Sequence, residues 1–234
     1  MARCGAGAKP IRRGIAKASR LCSPRRVTRA AADPAPAKRE PRQERGRETY
    51  ERLLQVAGEL LAEVGVERIS TNQICARAGM TPPALYRYFK DKYAVLEALG
   101  RRLMERQNAV LFDWVETHAP GGPDALAAAT EDLLRRTAEA TAAEPGAIWI
   151  LRALRAVPQL APIRIESHRA VTDRLVEAYG PLAPDLPREV LWRRVRIAVE
   201  FGFAADEMLT EEDLIPREAL IAEAAAILRH AIRP

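Results

Sequence analysis

The chain has 234 residues, 48% of them apolar and 29% charged, with a formal net charge of +6 and 3 cysteines. That length holds one large domain or two modest ones around a real core, and no stretch approaches the roughly 20 apolar residues of a membrane span. Aromatics are only 5% and Val-, Ile- and Thr-rich alternation is missing, so the fold class expected is all-α, with about nine helices and no β domain.

The charge is unevenly spread. Residues 1–42 hold 12 Lys/Arg and 2 acidic residues, leaving 25 basic and 29 acidic in residues 43–234. The basic excess therefore belongs to a tail, and the body is mildly acidic. Pro10, Pro24, Pro34, Pro36 and Pro41 punctuate that tail, which has too little apolar surface to offset the entropy of ordering it. Residues 1–43 are expected to form a disordered basic tail. Three readings of it stay open: a start codon placed too early, a solvated tail, or a basic arm on DNA. Its Arg- and Ser-containing, acid-poor start also imitates an organelle transit peptide. Cys4, Cys22 and Cys75 match no metal-ligand or disulfide pattern, so a reducing cytoplasm is the expected location and Cys75 reads as inert packing.

Order is expected from Glu44. Leu53, Ala57, Leu60, Leu61 and Val64 recur at helical spacing, and Gly65 reads as the residue that ends this first helix. Ser70 followed by Gln73 forms a capping box opening a short helix that Gly79 stops. Thr81 reads as the cap of a second short helix with Pro82 in its first turn, running through Leu85, Tyr86 and Tyr88 to Phe89. Asp91 caps a long fourth helix carrying Val95, Leu96, Leu99 and Leu103. Past Trp114, the run Pro120-Gly121-Gly122-Pro123 breaks the chain. Helical patterns follow over about 124–142, 146–157, 160–179, 187–209 and 216–232.

Two short helices behind a longer one are the ingredients of a helix-turn-helix. Such a unit needs Ile74 and Ala78, then Leu85 and Phe89, to face inward, and Gly79 to allow the turn. The exposed side of the second short helix must then enter the major groove. The run from Ile69 to Leu99, with Ala78-Gly79 and Leu85-Tyr86-Arg87-Tyr88-Phe89-Lys90-Asp91-Lys92, resembles the DNA-binding signature of the TetR (tetracycline-repressor) family. With the first helix, the likeness spans about residues 47–104, roughly a quarter of the chain.

The resemblance implies roles residue by residue. Thr71, Tyr86 and Lys92 match phosphate-contacting positions, the last at a helix N-terminus whose dipole favours an anion. Arg87 and Tyr88 stand at variable groove-facing positions. Arg87 is the first candidate for a base edge, because a guanidinium pairs bidentately with guanine, and Asn72 is the second. Pro82, Pro83 and Ala84 can touch a thymine methyl but donate no side-chain hydrogen bond, so operator shape is expected to carry part of the specificity. Blander alternatives stay open: Tyr86 covering the core, Lys92 as a solvated charge, Arg87 paired with an acidic neighbour.

In the C-terminal half, Leu191, Val195, Ala198, Gly202 and Ala205 form a stripe at 3-4 spacing, and Leu220, Ala224, Ile227, Leu228 and Ala231 form another. Such stripes suit close, near-parallel helix packing. The resemblance implies a homodimer interface built on them; purely intramolecular packing is the alternative. It also implies a pocket for a small hydrophobic effector, with Trp114, Trp149, Arg152, His168, Trp192, Val199 and Phe203 as candidates against a plain core role.

The expected plan is thus a tail over 1–43, a DNA-binding domain over 44–110, and a dimerisation and effector domain over 111–234. His118, His168 and His230 lie far apart, and no metalloprotease, phosphate-loop, dinucleotide or nucleophile-elbow motif is found. No enzyme activity, metal or cofactor is expected. The function expected is a ligand-responsive regulator of palindromic operator DNA, acting as a repressor. Two rivals remain: a DNA-binding regulator without a pocket, controlled by abundance or a protein partner, and a helical interaction module with a degenerate helix-turn-helix.

Overall fold

A computed structural model describes residues 44–231. The readings of the basic tail, with Cys4 and Cys22, fall outside these residues. The chain order is α1 (Glu44–Arg68), α2 (Thr71–Ala78), α3 (Pro82–Tyr86), α4 (Lys92–His118), α5 (Gly122–Ala128), α6 (Thr130–Ala142), α7 (Ala147–Ala156), α8 (Ala161–Tyr179), α9 (Arg188–Glu211) and α10 (Arg217–Ala231). Short 3-10 turns sit at Ala119–Gly121 and Gly180–Leu182. The fold is all-helical, with no strand among the described residues. Only Ala129 separates α5 from α6, so the expected count of about nine stands when the two are taken as one bent rod.

Local chemistry explains most boundaries. Ser70 has an extended backbone and its side chain accepts from Gln73 N, while its hydroxyl donates to Gln73 Oε1 at 2.9 Å, tying the two side chains of the expected box together. Gly79 ends α2 in the left-handed region at φ 65°, where a Cβ would be strained. Asp91 accepts from Ala94 N at 2.8 Å and starts α4. Gly65, at φ 73° and ψ 174°, leaves the helical region and ends the first rod as expected, and a separate turn follows to Arg68. Two details differ from expectation. Thr81 sits at the cap of α3 but its side chain makes no capping bond; its carbonyl instead accepts from Ala84 and Leu85. The α-helix α3 closes at Tyr86, and a turn held by Leu85 O carries Tyr88 and Phe89.

Burial forms two main clusters. The first joins Leu53, Leu61, Ile74, Leu85, Phe89, Leu96 and Leu103 of the N-terminal helices with Ile150, Leu151 and Leu154 of α7. The second joins Trp114 and Val115 of α4 to Val171, Val176, Leu191, Val195 and Phe203 of α8 and α9. A break near residue 110 was expected between domains. Instead α4 runs through both clusters, and α7 seals the underside of the first. Close backbone approach makes that seal possible: a Cβ on Gly58 would lie 2.7 Å from Pro145 O, and one on Gly146 would lie 2.6 Å from Gly58 O. Buried Glu144 adds a polar clamp, pairing with Arg102 and, at 2.5 Å, with Arg106 of α4. Cys75 is a free, buried thiol in the first cluster. No helix among the described residues is long and apolar enough to cross a membrane.

Candidate functional site

The N-terminal helices present one polar face. Ile74, Ala78, Leu85 and Phe89 are buried as the helix-turn-helix requires. On the outer side, Asn72, Pro82, Pro83 and Arg87 are exposed, with Ala84 half-buried between them. Thr71 opens α2 and Tyr86 closes α3, and their hydroxyls lie 3.3 Å apart. The two hydroxyls are hydrogen-bonded to each other, so one hydroxyl hydrogen is left for a phosphate oxygen at this helix N-terminus, and both only if the pair separates. Tyr86 is 43% exposed, so its ring does not serve chiefly to cover the core. Arg87 is exposed and has no acidic partner among the described residues, leaving its guanidinium available for a base edge.

Two side chains differ from the simple groove-facing picture. Tyr88 is half-buried, its ring 6.3 Å from that of Tyr50, which itself stacks on Phe89 at 5.2 Å. It belongs in part to the seam between α1 and the turn. Lys92 directs its ammonium toward the carbonyls of Val66 and Glu67, each at 3.4 Å. It therefore fastens the end of α1 to the start of α4, with one N–H to spare for an anion.

A second site lies at the far end of α4. A cavity of about 150 Å³ opens between α4, α6, α8 and α9. Trp114, Val199 and Phe203 line it as expected, joined by Leu111, Val171 and Tyr179. At one wall, Gln107 Nε2 donates to Thr141 Oγ1 at 2.8 Å and to Asp206 Oδ2 at 2.9 Å. Burial pushes the Asp206 carboxyl up to about 6, against the bond from Thr141 that favours its charge. Burial also pushes the Tyr179 phenol up to about 12, which keeps it neutral.

The other expected cavity residues stand elsewhere, each for a visible reason. Trp149 packs over Gly65 on the head side of α7, and the Arg152 guanidinium lies 4.9 Å from its ring centre while bonding Glu211. Trp192 donates to Asp173 at 2.8 Å between α8 and α9. His168 is a core histidine: its ring stacks on Phe203 at 4.0 Å and its Nδ1 meets Glu200 at 3.0 Å. Burial outweighs that carboxylate and pushes the imidazole down to about 4, so it is neutral at physiological pH.

Residues 53–99 match the profile of bacterial regulatory proteins of the tetR family. Those residues form a TetR-type DNA-binding domain. Over 54 residues it is 41% identical to the class C tetracycline repressor protein of Escherichia coli, a match covering 23% of this chain and 25% of that one. It is 26% identical over 181 residues to the HTH-type transcriptional regulator UidR of E. coli K12, covering 75% of this chain and 88% of that protein. A tetR-family regulator from Streptomyces coelicolor has the same fold at a TM-score of 0.59, with 20% identity over 79% of this chain and 80% of that one. The chain is thus a DNA-binding transcriptional regulator of TetR type.

Leu191, Val195, Ala198, Ala205 and Leu220, expected on a dimer surface, are buried inside the protomer, and Gly202, Ala224 and Leu228 are half-buried. Ile227 alone of those named is well exposed; Ala231 closes α10, its side chain outside the described part. The free apolar stripe of α9 is one register over: Ile197, Phe201, Ala204 and Met208. Reading the sequence missed this stripe because α9 is apolar on two faces. It also missed Gln107, Thr141 and Asp206, which meet across as many as 99 positions of sequence.

Proposed function

We propose that this regulator represses transcription by binding a palindromic operator as a homodimer, and that a small molecule in the α4–α9 cavity releases it. The observation carrying this reading is α4 itself. One unbroken helix bears Lys92 at its start, beside the DNA-facing surface, and Gln107, Leu111 and Trp114 further along, in the cavity wall. At 1.5 Å per residue, Lys92 and Gln107 lie about 22 Å apart along one rod. Any ligand that shifts the rod at one end shifts the head at the other. Glu144 holding Arg102 and Arg106 marks where that shift is resisted.

The roles in the head follow from geometry and resemblance together. Thr71 and Tyr86 share one phosphate, Lys92 supplies a second contact from the α4 N-terminus, and Arg87 reads a base with Asn72 beside it. Pro82, Pro83 and Ala84 provide apolar contact with thymine methyls. The dimer forms on the exposed stripe of α9 with Ile227 of α10.

The test is a footprint on selected DNA with the full chain and with residues 1–42 removed. Equal protection of one short palindrome by both supports the reading and makes the tail dispensable. Binding that needs the tail and ignores sequence would defeat it. Lys92→Ala should weaken binding and reduce the slope of log affinity against log salt by about 0.9. Unchanged affinity and slope would remove Lys92 from the interface.

A further inference from the structure

The polar groups around the cavity are unevenly spent. Both N–H bonds of the Gln107 amide are taken by Thr141 and Asp206, yet Gln107 Oε1 has no partner although the residue is only 1% exposed. The Trp114 indole N–H donates to Ala129 O at 2.9 Å. Thr130 and Thr137 donate their hydroxyls to Leu126 O and Leu133 O. Arg229 is held by Ala127 O and by Glu131 at 2.7 Å, which neutralises it. Apart from Tyr179, the exposed carboxylate of Asp124 at the rim and the remaining N–H groups of the Glu131-paired Arg229, the lining offers spent donors and one bare, buried acceptor. An orphaned buried carbonyl of this kind is destabilising unless something donates to it.

The rest of the wall is apolar: Leu111, Leu134, Val171, Leu175, Val199 and Phe203. A dry apolar cavity of comparable volume, about 150 Å³, takes up benzene. An anion at the Gln107 end would face the amide oxygen, with the second, unpartnered oxygen of Asp206 behind it.

We infer that the cavity takes a small, uncharged, largely apolar molecule carrying one hydrogen-bond donor, such as a phenol or alcohol, and that this donor bonds to Gln107 Oε1. The inference rests on the proposed reading of the cavity as the effector site and adds the chemistry of the occupant. Gln107 is then the specificity residue. Asp206 and Thr141 act through it, holding the amide so that its oxygen and not its NH2 faces the ligand.

The experiment titrates the full-length protein with phenol, toluene, anisole and benzoate, following tryptophan indole ¹⁵N–¹H signals, with Trp114→Phe assigning the cavity signal. Phenol should shift the Trp114 signal and bind at least about fivefold more tightly than toluene or anisole, the advantage of one satisfied buried acceptor. Benzoate should bind weakest. Gln107→Met should abolish the advantage of phenol while leaving toluene binding in place, and Val199→Phe, which fills the cavity, should weaken all of them. If toluene or anisole matches phenol, or benzoate exceeds it, the donor requirement is overturned while the cavity remains a binding site. If no probe shifts the Trp114 signal, the effector reading falls with it. The wild-type series decides the matter even where a variant fails to fold.

Discussion

Asp206 lies at the centre of the polar knot behind the cavity, and its charge is costly there. Burial raises its pKa from 3.8 to about 6, with Glu207 adding repulsion and Thr141, Gln107 and Arg217 opposing. Between those two values the folded chain keeps a proton that the unfolded chain gives up. The stability tied to this group is therefore full below pH 3.8 and is lost as the pH rises through about 6. His168 acts in the opposite sense. Lowered from 6.5 to about 4 by burial, it makes the fold lose stability as the pH falls through that window. The two slopes oppose each other between pH 4 and 6 and partly cancel. Asp206→Asn keeps an acceptor for Gln107 and Thr141 but cannot titrate. Measured by urea unfolding, its stability relative to wild type should improve by about 2 kcal/mol between pH 4 and 7.5. The change across pH is the readout, because the new NH2 group costs the same at both ends. A relative stability that does not move with pH would place the Asp206 carboxyl in the ordinary range. None of this was legible in the sequence, where Gln107, Thr141 and Asp206 sit in three unremarkable helical runs.

Helices α1 to α4 were legible because their signals are local. The Ser70–Gln73 box, the left-handed Gly79 and the Asp91 cap each act within four residues, so spacing along the chain is spacing in the fold. The role of α7 was not legible. Trp149 and Arg152 drew notice as aromatic and basic groups suited to a cavity, yet α7 turns toward α1 because two glycines let the backbones meet. Gly146 makes that contact at φ 74°, a conformation costly for any residue with a Cβ. Gly146→Ala should therefore combine backbone strain with a clash against Gly58 O, costing about 2 kcal/mol or more. Gly100→Ala is the informative contrast. It meets only the end of the Leu154 side chain, which can rotate away, so it should cost less despite a comparable distance of 2.8 Å. Chemical denaturation of both variants checks the order, and hydrogen exchange should show the loss in Gly146→Ala concentrated at the α1–α7 seam. A larger loss at Gly100 would mean that the α4–α7 contact, not the α1–α7 seam, sets the stability of the head.

For the whole molecule, the proposed dimer requires that two heads be held at a fixed separation. The stripes first read from α9 and α10 fill the interior, since a 3.6-residue period cannot tell a core face from an interface when both are apolar. What remains outside is Ile197, Phe201 and Met208, at 59%, 55% and 45% exposed, with Ile227 at 54%. With Ala204, the α9 residues recur at intervals of four, three and four, the pattern that lets two helices pack side by side. Phe201→Glu puts a charge in the middle of this face and touches nothing in the protomer core. It should yield a monomer by sedimentation, with a melting temperature that no longer depends on protein concentration. Operator affinity should fall by about 10²–10⁴, because each head then binds its half-site without the other's help. Val195→Ala, a core change on the same helix, should lower stability and leave the assembly intact. The DNA supplies the matching control: inserting about 5 base pairs between half-sites turns one to the opposite face of the duplex. That insertion should cost the wild-type dimer its avidity and leave Phe201→Glu, already bound as single heads, unaffected. If Phe201→Glu remains a dimer that is still sensitive to the insertion, the two protomers meet on another surface.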